Sequence, residues 1–201
     1  PYLPMQFLNE IARKGDRRML TALATNPIKL MAYPDVMERM EENTEADDAL
    51  KDKIKDIRNN YLDEKKEQAG ESIPEEQLLP QVAQAMTGES AHRGKQSTDQ
   101  MRSRALELLR QINGLSLQKR IQLAFTGTRS ERLILARDPN KYVILAVTEG
   151  PNTTEEEIVA IVKNRRMHGD VIESIASGSR WLASEEIRML LLKHPHIPTV
   201  K

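Results

Sequence analysis

An all-α protein assembled from short helices is the fold class this sequence predicts, and three observations predict it. Apolar residues recur at three- and four-residue spacing along nearly the whole chain, the period of a helix with one buried face. Alternating β-branched runs and hairpin dipeptides are almost absent, so no sheet is expected. Dense Gly, Pro, Ser and Thr punctuation cuts the C-terminal pattern into helices of roughly 7–14 residues, too short to bury a face alone, so neighbours must stack.

Taken in order, residues 1–33 read as an N-terminal repeat-like segment. Ile11-Ala12-Arg13 leads to Pro27 sixteen residues later, with Met19, Leu20 and Leu23 between. Residues 34–115 read as an acidic helical insert. In it Leu50, Ile54, Ile57 and Tyr61 form one narrow apolar stripe on a charged helix from about Asp47 to Lys66, able to pack on one side only. Beyond Gly70 and Pro74-Glu75-Glu76, a short apolar stretch carries Leu78, Leu79, Val82 and Met86, with Pro80 as a kink or a start. Residues 87–98 predict a flexible loop. A helix from Asp99 to about Asn113, carrying Met101, Leu108, Leu109 and Ile112, follows.

Residues 116–201 form the C-terminal array. Ser116 caps a helix carrying Leu117, Ile121 and Ala124, ended by Gly127. Thr128 and Glu131 have capping-box spacing, each side chain meeting a free backbone N–H of the first turn. Asp138-Pro139 closes that helix, and the proline is expected in the first turn of the next, whose stripe is Tyr142, Val143, Ala146 and Val147. Thr153 and Glu156 predict a second box, opening a helix with Ile158, Ile161 and Val162. Gly169-Asp170 starts a short helix that Gly178 ends, and one last helix is expected to hold Trp181, Ile187 and Leu190 before Pro195 and Pro198. The N-terminal unit superposes without a gap on Leu135-Ala136-Arg137 through Pro151, and with four extra residues on Ile175-Ala176-Ser177 through Pro195.

Composition narrows the chemistry. There is no cysteine, which removes disulfides, thiolate zinc sites and a cysteine nucleophile and suits a reducing, cytoplasmic setting. No apolar run approaches the ~20 residues a membrane span needs, and Pro1-Tyr2-Leu3-Pro4-Met5 lacks a signal peptide's basic start and apolar core. Lys plus Arg equal Asp plus Glu at 30 each, so no net field steers nucleic acid or an anionic membrane. The charge is nonetheless uneven. Residues 1–33 carry 5 basic and 2 acidic groups, 34–115 carry 12 and 18, and 116–201 carry 13 and 10. The acidic helix is expected to dock across the basic flanks and join them.

The C-terminal segment, with Leu135-Ala136-Arg137-Asp138-Pro139-Asn140-Lys141, the Thr153-Thr154-Glu155 helix start, Arg180-Trp181 and Lys193-His194-Pro195, resembles bacterial HEAT-like repeat domains. Its Asp-Pro-Asn turn and proline-stopped helix are also similar to leucine-rich-repeat variants. The resemblance implies an irregular HEAT-like α-helical superhelix used as a protein-binding or scaffolding surface, into which the composition of 34–115 places a charged helical insert. It specifies an architecture, not a chemistry.

No constellation for catalysis stands out. Of four histidines only His194 and His196 are close, flanking Pro195 where helix-end capping is ordinary, and no third metal ligand is evident. Glu155, Glu156 and Glu157 suit the first turn of a helix, with Glu156 completing the cap. The nine glycines form no phosphate loop. The expectation is therefore a non-enzyme, without cofactor or metal, that binds another protein. Lys141, Arg165, Arg166 and Arg180 are the candidate polar contacts. Nucleic-acid binding is the alternative, carried by these cations with Arg129, Arg132 and Lys163 and by base stacking on aromatics. Trp181 reads first as an inter-helix core residue.

Overall fold

The computed structural model describes residues 5–67, 79–89 and 98–197, with side chains for 6–59, 79–80, 82–86 and 99–197. The described residues hold fourteen helices and no strand. The first, α1 (Met5–Lys14), turns Leu8 and Ala12 inward and ends on Arg13 and Lys14, cations that suit the negative end of the helix dipole. Gly15 follows, where a Cβ would sit 2.4 Å from the Ile11 carbonyl oxygen. Asp16 then caps α2 (Arg17–Leu23), accepting the Met19 N–H at 2.9 Å. Asn26 caps α3 (Pro27–Ala32) and Pro34 opens α4 (Pro34–Glu42). Both prolines sit in first turns, where a missing N–H costs nothing. Pro27 thus stops α2 by starting α3.

The charged helix α5 (Asp48–Glu67) docks through Leu50, Ile54 and Ile57, all buried, onto α3 and α4. The side chain of Tyr61 lies outside the described residues, as do Pro74-Glu75-Glu76, Leu78 and 90–97. Pro80 stands in the first turn of α6 (Leu79–Glu89), which runs through the first residues expected to be loop. Its partner α7 (Thr98–Asn113) packs beside it.

The C-terminal array comprises α8 (Leu117–Thr126), α9 (Arg129–Leu135), α10 (Lys141–Glu149), α11 (Glu155–Lys163), α12 (Gly169–Ser177), α13 (Ser179–Leu182) and α14 (Glu185–Leu192). Ser116, Gly127 and the Thr128–Glu131 box stand at helix ends as their spacing predicts. Three local details differ. Pro139 lies outside α10, because Asn140 takes the cap and accepts the Tyr142 N–H at 2.8 Å. The second box is Thr154–Glu157, not Thr153–Glu156. Two overlapping Thr-x-x-Glu frames fit the sequence, and Thr153 is withdrawn from the competition because its hydroxyl donates to the Val147 carbonyl at 2.5 Å. The last helix is broken into α13 and α14, and Arg188 Nη1 reaches back to the Leu182 and Ala183 carbonyls at 2.5 and 3.1 Å, satisfying acceptors that the break leaves open.

Packing runs as a row. α3 lies on α8 and α10, α8 on α10, α10 on α12, and α12 on α14, while the α6–α7 pair covers α9. Buried apolar side chains form one cluster from Leu8 in α1 to Leu191 in α14, so the three segments drawn from the sequence share one core. The two ends are joined through α3: Gln122 Nε2 donates to the Ala32 carbonyl at 2.6 Å and Asn26 Nδ2 to Glu149 Oε2 at 2.7 Å, while Lys53 and Ile57 of α5 lie around one pocket with α3 and with Tyr142 of α10. With each large apolar side chain worth about 1.5–3 kcal/mol on burial, this shared core, rather than exposed ion pairs at ~0–1 kcal/mol each, holds the array together.

Two ion pairs are withdrawn from solvent. Arg132 Nε meets Glu157 Oε1 at 3.0 Å, linking α9 to α11, and Arg120 Nη1 meets Asp138 Oδ2 at 2.6 Å. Burial pushes the Asp138 carboxyl above the ordinary carboxylate range, with the Arg120 guanidinium and the Asn140 N–H opposing it. A folded pKa above the unfolded one means that this group's stabilising contribution is complete below the unfolded pKa and is lost as pH rises through the folded value. Urea unfolding across the acid-to-neutral range is therefore expected to show wild type most favoured over Asp138→Asn at acid pH, with the difference declining as pH rises. A difference that grows with pH would put the Arg120 pair ahead of burial.

Candidate functional site

The four cations singled out from the sequence meet different fates. Arg180 lies with its guanidinium 4.1 Å from the centre of the Trp181 ring, a cation–π arrangement. Its Nη1 donates to the Gly150 carbonyl at 2.8 Å, and its Nη2 to those of Pro151 and Thr153 at 3.3 and 2.6 Å. It clamps the turn after α10. Lys141 Nζ pairs with Asp170 at 3.0 Å and stands 5.3 Å from the Tyr142 ring centre. Arg165 and Arg166, in the turn between α11 and α12, are exposed, with no side-chain partner among the described residues. Only these two of the four present open cations, and the structure does not bring the four into one site.

Arg180 belongs to a series. His168 Nε2 lies 3.3 Å from the Pro139 carbonyl oxygen, and His194 Nε2 lies 3.2 Å from that of Asn164. The indole N–H of buried Trp181 donates to the Thr148 carbonyl at 3.2 Å. In each case a side chain from one layer meets carbonyls about thirty residues earlier: in the turn before α10 for His168, at the end of α10 and in the turn after it for Trp181 and Arg180, and at the end of α11 for His194. His194 therefore caps a neighbouring helix rather than its own. Among the described residues no three His, Asp or Glu side chains converge. The remaining cations of the nucleic-acid alternative are paired too: Arg129 with Glu156, Arg132 with Glu157 and Lys163 with Glu186.

What the array leaves open lies at its other end. Helices α1, α2, α3 and α4 enclose a cleft of about 230 Å³ lined by Leu8, Ile11, Met19, Leu23, Leu30 and Val36, among others. Its local origin is plain. The apolar positions of α1 include Phe7, Leu8, Ile11 and Ala12, a stripe wider than the neighbours cover. Leu8 and Ala12 are buried against them, while Phe7, one turn from Ile11, is 55% exposed. On α2 the same logic buries Leu20 and leaves Met19 51% exposed, one turn from Leu23. Large apolar side chains held in water beside an apolar cleft mark an interaction site more strongly than scattered ones do.

Among the described residues Lys29 is the only charged side chain lining the cleft. It is half-buried, and no carboxylate of a described residue pairs with it. Asn26, which also lines the cleft, is already held by Glu149. In the sequence Ile11, Met19 and Leu23 look like ordinary core positions of the N-terminal repeat-like unit. The available signal was the width of the α1 stripe and Met19 directly after Arg17-Arg18.

No described helix is long and apolar enough to cross a membrane. Comparison with models of known protein families, with curated proteins and with solved structures finds no match.

Proposed function

We propose that this chain is a non-catalytic protein–protein interaction module, with a HEAT-like helical array as its rigid body and the cleft between α1 and α4 as its recognition surface. The observation that carries this reading is the uncovered apolar cleft with Met19 of its lining exposed and Phe7 exposed one turn from its lining residue Ile11. A volume of about 230 Å³ falls below the ~300–1,000 Å³ that encloses a whole small molecule, and suits instead one or two anchoring side chains of a partner. Engagement of most candidate cations within the chain favours this reading over nucleic-acid binding.

Affinity capture with the full chain and its Met19→Glu variant tests the proposal. Met19 is exposed, so the fold is expected to be unchanged, whereas placing a charge where a partner buries a methionine costs at least the ~1.5–3 kcal/mol of that burial, tenfold or more in affinity. The expected result is a protein captured by wild type, lost with the variant, and protecting α1 and α2 from hydrogen exchange. Capture indifferent to Met19, or tight salt-sensitive retention of RNA or DNA, would overturn it.

A further inference from the structure

We infer that the partner segment seated in this cleft is an amphipathic helix carrying apolar anchors on one face and a carboxylate that meets Lys29; the inference rests on the binding reading above and specifies its occupant. The apolar contribution follows from the shape. The cleft lies between helices and is lined by Ile11 on α1 with Met19 and Leu23 on α2; exposed Phe7, one turn before Ile11 on α1, extends this apolar surface, so that each pair is spaced by one helical turn. A partner helix presenting residues at i, i+3, i+4 and i+7 matches a strip with that repeat.

The charge contribution follows from Lys29. A half-buried ammonium on an apolar wall, with no described carboxylate in ion-pair distance, is a donor whose field is little screened. An incoming carboxylate would complete a charge-assisted bond there, whereas an incoming lysine would meet a like charge at short range. The surroundings point the same way. Arg18, next to Met19, is exposed and has no partner among the described residues, and residues 1–33 carry 5 basic against 2 acidic groups. Of the nearby carboxylates, Glu149 is bonded to Asn26, Glu10 faces Lys14, and Asp35 stands in the first turn of α4, at the positive end of its dipole. Discrimination by sign is the function assigned to Lys29, and attraction to the strip is the function of the apolar residues.

The test is selection from a displayed library of amphipathic helical peptides, with apolar residues fixed at i, i+3, i+4 and i+7 and all other positions randomised, against the full chain. Enriched peptides are expected to carry an excess of Asp and Glu. Their affinity should fall about tenfold or more on Lys29→Glu, and selection against that variant should enrich Lys and Arg instead. A Lys29→Met variant should lose the acidic preference while still binding, which separates charge recognition from the apolar contact. Enriched peptides that bind at the cleft, and are lost with Met19→Glu, but show no acidic bias would overturn the role of Lys29 and leave the cleft reading standing. Peptides equally enriched on wild type and Met19→Glu, or no enrichment at all, would overturn both.

Discussion

Glu157→Ala is expected to destabilise the fold by about 3–5 kcal/mol, the cost of leaving one partner of a buried ion pair uncompensated. The Glu157 side chain is fully buried and that of Arg132 nearly so. One Glu157 oxygen accepts Arg132 Nε, while the other accepts the Thr154 N–H at 2.6 Å and its hydroxyl at 3.0 Å. The substitution therefore removes an ion pair and half of a capping box together. For a chain of this size roughly 2–4 °C of Tm accompanies each kcal/mol, so thermal unfolding followed by circular dichroism should shift by roughly 6–20 °C. Arg132→Met should also be severe, since it leaves the carboxylate buried alone and frees the Gly127 carbonyl that Arg132 Nη1 holds at 2.8 Å. The double variant Arg132→Met/Glu157→Leu is expected to recover much of the loss, because an apolar pair of similar volume avoids the desolvation cost. A loss below about 1 kcal/mol for Glu157→Ala would mean that water reaches the pair.

Trp181→Ala is expected to cost about 3–5 kcal/mol by cavity formation, with its effect concentrated at the C-terminal end. Trp181 is the only tryptophan. It lies on α13, which packs on α12 and α14, and its indole tethers the end of α10. Removing it also takes away the ring on which the Arg180 guanidinium lies. Hydrogen exchange should show α12 to α14 losing protection first while α8 and α10 retain theirs, as expected where each layer touches mainly its neighbours. Trp181→Phe keeps most of the volume but leaves the Thr148 carbonyl without its donor, a loss of about 1–3 kcal/mol. Uniform loss of protection along the chain would show that the array unfolds as a single unit.

Helix ends were readable at Ser116, Gly127 and Thr128–Glu131, where the capping chemistry is complete within four residues. The same local rule became ambiguous at Thr153-Thr154, where two frames satisfy it and a longer-range bond from Thr153 to Val147 decides. No glycine or proline marks the break between α13 and α14, and its stabilisation comes from Arg188 reaching back from the next helix. Arg180 and Lys141 were recognisable as cations beside aromatics. Their employment was not, because the groups they bind lie about thirty residues away.

By itself the sequence determined the helical class, the inward face of most helices and the one-sided stripe of α5, because periodicity and capping act within one or two turns of chain. Tertiary packing decided which layers meet, that α3 bonds to α8 and α10 and so links the two ends, and that Glu157 turns inward to Arg132. It also decided that the apolar surface of α1 and α2 is only partly covered. An apolar side chain looks the same in sequence whether a neighbouring helix reaches it or not, and only the packing of the other helices determines where burial stops.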